Sequence, residues 1–322
     1  MKEVKQINPT NKFAYLIIAH QDIEQLLFLI RLLDHQRNDI YILFDEKFIL
    51  TDNDKTKLMN STKWSKIFFT KRIKIFWGGY SQIEAELILF SAAYNKGYQH
   101  YHLISGNDLP LVPQNVIHEY FDLNIEYSFL TLNSNLEVYE DEILNRIKYY
   151  HIFRKFTPRT FPGFFGKILF KLYRKIAIMI QEILRINLLD RYEIFPVKAS
   201  NWVTLSHNCV EIIIDNSNLI EKIFKYSFLG DELFIPTILF YLNKQNLIKN
   251  LQINKGTSEE YQGNMRYINW WDGYPYEWTD SVNDFKQIQE AANNGYFFSR
   301  KFNLKRYPGT KVFIEKLLRG KK

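Results

Sequence analysis

The sequence predicts an α/β fold with a mostly parallel central sheet flanked by helices, and three observations carry this prediction. Short continuous apolar runs occur at 13–19 and 39–44, and such runs are typical of strands buried on both faces. An amphipathic segment at 22–35 separates them, which makes a strand–helix–strand unit. The alternation of strand-like and helix-like segments continues to about residue 130. We therefore expect a Rossmann-like sheet in this part of the chain.

The individual elements follow from local patterns. The first strand, Phe13–Ala19, ends at His20, and the second, Asp39–Phe44, ends at Asp45. Further strand-like sequence lies at 68–76. Ser81 and Glu84 are spaced as a capping box, which predicts a helix from Ser81 through residue 94. The run 101–105 predicts another short buried strand, followed by a turn at 106–110.

The second half of the chain carries weaker signals. Val197–Leu205 has a strand pattern, and Met265–Trp271 predicts an aromatic-rich strand. Phe228–Gly230 is typical of a turn, and Asp231 and Glu232 follow it at the start of an apolar-periodic segment. Acidic residues in the first turn suit the positive end of a helix dipole, so a helix start is expected there.

Composition limits the classes of protein that this chain can represent. Its 322 residues are 46% hydrophobic, which is enough for a substantial core. A single cysteine, Cys209, excludes an internal disulfide framework and a cysteine-based metal cluster. The polar start of the chain and the absence of an apolar run of about 18 residues lead us to expect a cytoplasmic protein. The net charge of +7 suits nucleic acid, anionic lipid or a phosphate-bearing ligand, and charge alone does not choose among them.

Polar side chains follow three of the predicted parallel strands. Ligands of such sheets bind beyond the carboxyl ends of the strands, where His20, Asp45 and Asp108 are expected to meet. Asp45 could accept a hydrogen bond from a nucleoside, or it could form a strand-end turn. The same alternative holds for His20, as a satisfied strand-end histidine, and for Asp108, as a turn residue. Neither a dinucleotide-binding glycine fingerprint nor a P-loop is present in the sequence.

Two carboxylate motifs have a chemical and a structural interpretation. Asp52-Asn53-Asp54 spells the triplet that many nucleotide-sugar enzymes use to hold a divalent ion, but it stands in a polar stretch that favours a surface turn or helix start. We expect no metal site. Glu232 is interpreted either as a helix cap or as a general base that takes a proton from a substrate hydroxyl.

A basic and apolar segment runs from Tyr149 to Arg185. On a helix from Gly166, five basic residues are expected to share one narrow face of an otherwise mostly apolar surface: Lys167, Lys171, Arg174, Lys175 and Arg185. This pattern predicts either a core helix with a solvated stripe or an interfacial helix that lies on anionic lipid.

Eight short stretches are distributed in order along about residues 13–305. They are LIIAH (16–20), LFDEK (43–47), WGGYSQIEAEL (77–87), HLISGNDLPL (102–111), SNWVTL (200–205), GDELF (230–234), MRYINW (265–270) and FFSRKFN (297–303). Taken together, they resemble the core 2/I-branching β-1,6-N-acetylglucosaminyltransferase family, which also includes peptide O-xylosyltransferases.

The resemblance implies a GT-A-type fold and transfer of a sugar from a UDP-sugar with inversion, by direct displacement and without a metal. It implies that Glu232 is the catalytic base, although Gly230 stands where the family often has proline. It further implies that Asp45 contacts uridine, Lys301 contacts the diphosphate and Trp270 lies near the acceptor sugar. With Trp270 we assign Trp202, from the SNWVTL stretch, to the acceptor side.

One departure from the family pattern concerns the second diphosphate cation. The family has an arginine some residues before its last motif, whereas this chain has Tyr276-Glu277-Trp278 in that region. Arg300 is the candidate replacement. With His20, Asp45, Asp108 and Lys301 it completes the expected nucleotide-sugar-binding set.

The sequence therefore predicts a single glycosyltransferase domain over residues 1–322, with a nucleotide-sugar-binding half at about 13–130 and an acceptor-binding and catalytic half at about 131–322. We expect UDP-GlcNAc as donor, no cofactor, and a glycan or lipid-linked glycan acceptor in surface polysaccharide synthesis. The protein would be cytoplasmic and bacterial, with peripheral contact to the inner face of an anionic membrane. The alternatives are a xylosyltransferase of the same family and, from another class, a basic nucleic-acid-binding module, for which no recognised motif is present.

Overall fold

A computed structural model describes residues 9–20, 22–134, 140–152, 163–273 and 275–320 of the chain. The strands of this part of the chain form two sheets, one of five strands in the order β3–β2–β1–β4–β6 and one of three in the order β5–β8–β7. The strands are β1 (Phe13–Ala19), β2 (Asn38–Phe44), β3 (Lys66–Phe69), β4 (His100–Ser105), β5 (Leu109–Pro110), β6 (Thr204–Ser206), β7 (Arg266–Ile268) and β8 (Phe298–Arg300).

The five-stranded sheet is mostly parallel. β1 pairs in parallel with both β2 and β4, and β2 pairs in parallel with β3, while β6 pairs antiparallel with β4. The register aligns Ala19 with Phe44 and Ile18 with Ser105, so these three strands end at one edge. The predicted α/β fold class with a mostly parallel central sheet is confirmed.

Both predicted halves of the chain contribute strands to each sheet. β6 joins the first sheet beside β4, and β8 pairs antiparallel with β5 in the second.

The helices of the described residues are α1 (Ile23–Leu33), α2 (Asp52–Met59), α3 (Ser81–Tyr94), α4 (Gln114–Asp122), α5 (Asp141–Lys148), α6 (Phe164–Ile183), α7 (Leu188–Tyr192), α8 (His207–Asp215), α9 (Ser217–Phe224), α10 (Phe234–Tyr241), α11 (Val282–Asn293) and α12 (Gly309–Arg319).

The alternation of side chains along β1 separates two apolar clusters. Ala14 and Leu16 point into the cluster that α3, α8 and α10 cover, whereas Tyr15 and Ile17 point into the one that α1 and α12 cover. Successive strand residues face opposite sides of a sheet, so a strand that is apolar throughout must be covered on both faces. Because β1 is buried on both faces, all of its side chains are apolar, and this produces the continuous apolar run in the sequence.

Three local predictions are wrong in detail. The helix at Ser81 has Tyr80 as its N-cap, without a side-chain capping bond, and the Ser81 hydroxyl instead accepts a hydrogen bond from the Phe76 amide at 2.8 Å. The strand-like run at 68–76 is a strand only to Phe69, and that at 197–205 only from Thr204. In the run 197–205, the residues before Thr204 bond to other parts of the chain. The Ser200 amide, for example, donates to the Thr131 carbonyl.

A buried arginine connects the two sheets. Arg266 of β7 is 2% exposed, and its guanidinium donates to the carbonyls of Leu103 in β4 (3.1 Å), Val203 before β6 (2.7 Å) and Asn264 (2.6 Å). Burial lowers the pKa of Arg266 to about 9, so the side chain is still a cation at neutral pH. Carbonyl dipoles thus offset part of the cost of a buried charge.

Replacing Arg266 with methionine should destabilise the fold. The apolar chain keeps the volume but leaves the carbonyls of Leu103 and Val203 without these donors, at an expected cost of about 3 kcal/mol or more in the free energy of unfolding. Urea unfolding followed by circular dichroism measures the change. Arg31→Met, on the exposed side of α1, is the control and should shift stability by less than about 0.5 kcal/mol. Equal unfolding midpoints for the two variants would contradict the bridging role.

Candidate active site

The ends of three parallel strands place His20, Asp45 and Asp108 along one edge of the central sheet. His20 follows β1 directly, Asp45 follows β2, and Asp108 lies three residues after β4. The Asp45 amide donates to the Ala19 carbonyl at 2.9 Å, which holds the first two strand ends together. The structure places all three residues just beyond strand ends at this edge, as the sequence predicts. Their roles toward a ligand stay predictions.

Asp45 forms the strand-end turn that was its alternative interpretation. The carboxylate is buried, and its Oδ1 accepts a hydrogen bond from the Lys47 amide at 3.0 Å. Its Oδ2 lies 3.2 Å from the Lys47 ammonium. Arg72 reaches the same turn and donates to the Asp45 carbonyl at 3.1 Å. Sequence reasoning missed Lys47 and Arg72, although Lys47 lies in one of the stretches that carry the resemblance.

A second group forms around Arg300 at the end of β8. The Asp108 carboxylate accepts hydrogen bonds from the amide and hydroxyl of Ser105 and lies 3.5 Å from Arg300 Nε. The Arg300 guanidinium carbon is 4.4 Å from the centre of the Trp202 ring. Burial lowers the pKa of Arg300. Its Nε, which faces Asp108, and its Nη1 are buried without a hydrogen-bond partner among the described residues.

Lys301 and His20 link this group to the strand ends. The pKa of His20 is lowered by partial desolvation and then by the positive charges of Lys301 and Arg300, although the residue keeps solvent exposure. His20 is therefore a neutral imidazole at neutral pH, beside two cations. The Lys301 amide donates to the Tyr276 carbonyl at 3.3 Å, and the Lys301 carbonyl accepts from the Trp278 amide at 3.0 Å. The segment that lacks the family's arginine thus runs beside Lys301.

Glu232 lies at the end of a short 3-10 turn, Gly230–Glu232, two residues before α10 begins. The expected helix start is therefore displaced by this turn. Glu232 Oε2 accepts a hydrogen bond from Arg146 Nη1 at 2.7 Å, and Lys198 Nζ lies 4.0 Å away. The Glu232 side chain is 29% exposed, so the carboxylate is fixed by a charged partner yet open to solvent. Arg146 had only one signal in the sequence, a helical i,i+4 spacing from Glu142, which indicates a surface ion pair.

Asp231, the neighbour of Glu232, is a buried acid that sequence analysis left without a role. Its Oδ2 accepts hydrogen bonds from Gln82 Nε2 at 2.8 Å and Asn201 Nδ2 at 3.1 Å. Burial, and then the charge of Glu232, raises the pKa of Asp231 to about 7. Glu86 lies nearby, and burial raises its pKa well above the usual range. Two protonatable acids thus lie behind the exposed carboxylate.

One extended segment connects the acidic group with the cationic group. The Ala199 amide donates to the Glu232 carbonyl at 2.9 Å, Asn201 donates to Asp231, and the Trp202 ring lies against Arg300. Residues 199–202, most of which belong to the SNWVTL stretch, therefore contact both the backbone of Glu232 and the side chain of Arg300. The structure joins Glu232, Trp202 and Arg300 through this segment.

The two tryptophans assigned to an acceptor lie in different surroundings. Trp202 is half-buried beside Arg300, so one of its neighbours belongs to the cationic group. Trp270 follows β7 and is 40% exposed, which suits a sugar platform.

The Asp52-Asn53-Asp54 triplet opens α2, as its structural interpretation predicts. Thr51 and Asp54 form a capping box, in which Thr51 Oγ1 and the Asp54 amide are 3.1 Å apart, and Asp52 pairs with Lys55 at 3.0 Å. Both carboxylates are engaged in this helix start. Among the described residues, no three histidine, cysteine, aspartate or glutamate side chains form a group that could hold a metal ion.

A mostly parallel sheet with cations beyond its strand ends and a carboxylate on the facing side is the arrangement of an α/β group-transfer enzyme that binds an anionic donor. Comparison with protein families makes the class specific, because the model described as Core-2/I-Branching enzyme matches residues 13–290. The chain belongs to the Core-2/I-branching enzyme family and is a glycosyltransferase. The predicted family is confirmed.

Solved structures give weaker likenesses. Mouse xyloside xylosyltransferase 1 in its apo form is 10% identical, with 92% of this chain and 99% of that chain covered and a TM-score of 0.39. Core-mannan synthase A from Aspergillus fumigatus, in its Mn/GDP form, is 11% identical, with 91% and 87% covered and a TM-score of 0.38. A comparison with curated proteins finds no match. The family assignment rests on the family model alone.

The raised pKa of Asp231 predicts a pH dependence of stability. The ordinary pKa of 3.8 applies to the unfolded chain, so the unfolded state loses this proton first as pH rises. The contribution of protonated Asp231 is complete below about pH 4 and is lost as pH approaches 7. Between pH 5 and pH 8, wild type should therefore lose on the order of 2 kcal/mol more than Asp231→Asn, which carries no such proton.

Urea unfolding of both proteins at the two pH values measures this difference. Asp190→Asn, on the exposed surface of α7, is the control and should follow wild type. Parallel pH profiles for wild type and Asp231→Asn would show that Asp231 ionises as an ordinary aspartate.

Proposed function

We propose that this glycosyltransferase moves N-acetylglucosamine from UDP-GlcNAc to a glycan hydroxyl with inversion and without a metal. The observation that carries the proposal is the segment 199–202, in which the Ala199 amide donates to the backbone carbonyl of Glu232 and the Trp202 ring lies against Arg300. Displacement in one step needs a base on the acceptor side and positive charge on the leaving-group side. The site provides a candidate for each, at opposite ends of one short segment.

Glu232 is the proposed base. As the acceptor hydroxyl oxygen attacks the anomeric carbon, a carboxylate oxygen of Glu232 takes the hydroxyl proton. The bond between the anomeric carbon and the diphosphate oxygen breaks, and UDP leaves with the electron pair. Arg146, at 2.7 Å from Oε2, orients the carboxylate for this transfer.

Arg300 and Lys301 are the proposed diphosphate cations. Fixed positive charge beside the departing UDP stabilises the negative charge that develops on it. Arg300 is held by Asp108 and Trp202 directly before Lys301, and this position supports its assignment as the replacement for the family's arginine. His20 is proposed as a neutral donor-side contact and Asp45 as the uridine contact.

The donor sugar and the acceptor are the finer parts of the proposal. The stretches that resemble N-acetylglucosaminyltransferases favour UDP-GlcNAc, with a xylosyl donor as the alternative within the family. Trp270, exposed beside the second sheet, is the proposed acceptor platform. We propose a cytoplasmic role in surface polysaccharide synthesis. The nucleic-acid-binding alternative gains no support from a chain that belongs to an enzyme family.

Glu232→Gln should abolish transfer while UDP-sugar binding survives. The amide cannot accept the acceptor proton, so the rate should fall by about 10²–10⁴-fold. UDP release with a glycan acceptor measures the rate, and isothermal titration with UDP-GlcNAc measures binding. Glu142→Gln is a matched control, because Glu142 pairs with the same Arg146 at 3.1 Å but is largely exposed. Near-native turnover of folded Glu232→Gln would refute the assignment of the base.

Activity should persist in excess EDTA, and Lys301→Ala should lower both UDP affinity and rate, because a side-chain ammonium takes the electrostatic part of a metal's role. Lys305→Ala, on the nearby exposed surface, is the control and should behave as wild type. UDP release by all three proteins, with and without EDTA, tests this. If EDTA stops turnover, Mn²⁺ restores it and Lys301→Ala has little effect, then the metal-independent mechanism is wrong.

A further inference from the structure

Helix α6 uses one face to attach to the rest of the protein. Phe170 is buried, and Gln181 exchanges two hydrogen bonds with the backbone of Tyr150, at 2.8 and 3.1 Å. The Arg174 guanidinium lies 4.3 Å from the centre of the Phe228 ring. These contacts lie on one side of the helix, at the i, i+4 and i+11 positions that share a face.

The opposite side of α6 is apolar and exposed. Six large side chains lie there, each between 44% and 73% exposed. Single exposed apolar side chains are normal on a protein surface. Six of them on one face of a helix form a continuous apolar surface, and such a surface indicates an interaction site. We name these residues the α6 apolar face: Leu169, Leu172, Ile176, Met179, Ile180 and Ile183.

Basic side chains border this face. Lys171 and Lys175 lie along one edge and are exposed, and Arg185 is exposed just past the end of the helix. The predicted narrow basic stripe is only partly correct, because Arg174 turns inward to Phe228 and Arg185 lies beyond the last turn. The side chain of Lys167 and all of residues 153–162, including Arg154, Lys155 and Arg159, lie outside the described part of the chain.

We propose that the α6 apolar face lies on an anionic lipid bilayer, with Lys171 and Lys175 at the headgroups. An amphipathic helix with a wide apolar face and lysines at its border has the composition of an interfacial helix. Of the helices that the structure describes, none is both long and apolar enough to cross a membrane, so α6 would lie along the surface. The core-helix alternative from the sequence does not fit an apolar face that is about half exposed.

Charge favours a bilayer over a second copy of the chain. A symmetric dimer through the α6 apolar face would bring two lysine-bordered edges to one interface, where like charges repel. Anionic headgroups would instead neutralise those edges, and each lysine near such a surface adds to binding. The net charge of +7 acts in the same direction.

If the proposed function holds, this orientation places the proposed base near the membrane surface. Phe228, which packs on Arg174, donates its amide proton to the Arg146 carbonyl at 2.9 Å, and Arg146 holds Glu232. The attached face of α6 is thus connected to the proposed base through two residues. A glycan carried on a membrane lipid would then be presented close to Glu232.

Co-sedimentation of the full chain with vesicles tests the bilayer contact. We expect at least about tenfold more pelleting with phosphatidylcholine and phosphatidylglycerol at 3:1 than with phosphatidylcholine alone, and a loss of this difference at high salt. The triple variant Leu172→Gln, Met179→Gln, Ile183→Gln should lose binding. Lys171→Glu with Lys175→Glu should lose the preference for anionic vesicles.

A matched control shows whether reduced vesicle binding is specific to the α6 apolar face or follows from removing any exposed apolar side chains. Ile49, Leu123 and Val282 are each at least 83% exposed elsewhere on the chain, and replacing all three with glutamine should leave pelleting unchanged. Urea unfolding midpoints establish that each variant is folded. Equal and negligible pelleting of wild type with both vesicles would overturn the proposal, as would a dimer in sedimentation velocity that the α6 triple variant dissolves.

Activity on a water-soluble glycan acceptor is measured in parallel. If the α6 triple variant keeps this activity but loses vesicle binding, the bilayer contact and the proposed function are both supported. If wild type binds anionic vesicles but releases no UDP with any acceptor, the proposed function fails while the bilayer contact stands.

Discussion

The arrangement of this protein depends on a buried charge, the guanidinium of Arg266. It holds the carbonyls of Leu103 and Val203 and so fixes β7 against the end of the central sheet. β7 pairs in parallel with β8, with Ile268 opposite Arg300. The position of β8 in turn sets where Arg300 and Lys301 meet the ends of the parallel strands. A charge that is costly to bury is thereby used to place two other charges at the site.

The candidate site has a cationic group and an acidic group that the segment 199–202 connects. Arg300 and Lys301 lie on the strand-end side with a neutral His20, and the segment 199–202 leads from them to the carboxylates. There burial raises the pKa of Asp231, while the more exposed Glu232 is paired with Arg146. A positive end and a negative end suit a reaction in which a proton leaves one substrate while a diphosphate leaves the other.

The surface helix α6 is attached to the same site that it flanks. Arg174 packs on Phe228, and Phe228 is bonded to the backbone of Arg146. If the α6 apolar face lies on a bilayer, this attachment fixes how the candidate active site is oriented relative to the bilayer. The element that contacts the bilayer, α6, would then be the neighbour of the segment that carries the proposed base, Glu232.

The sequence by itself determined the buried strands β1, β2 and β4 and the edge at which they end. Apolar runs and helical periodicity are local properties, and parallel strands must end at one edge, so the placement of His20, Asp45 and Asp108 followed directly. Only the tertiary structure decided the partners. Arg146 and Glu232 are 86 residues apart in the chain, and Arg266 and Leu103 are 163 apart. No local pattern encodes such pairs, because the contact forms only when the packing of the sheets and helices has brought both side chains together.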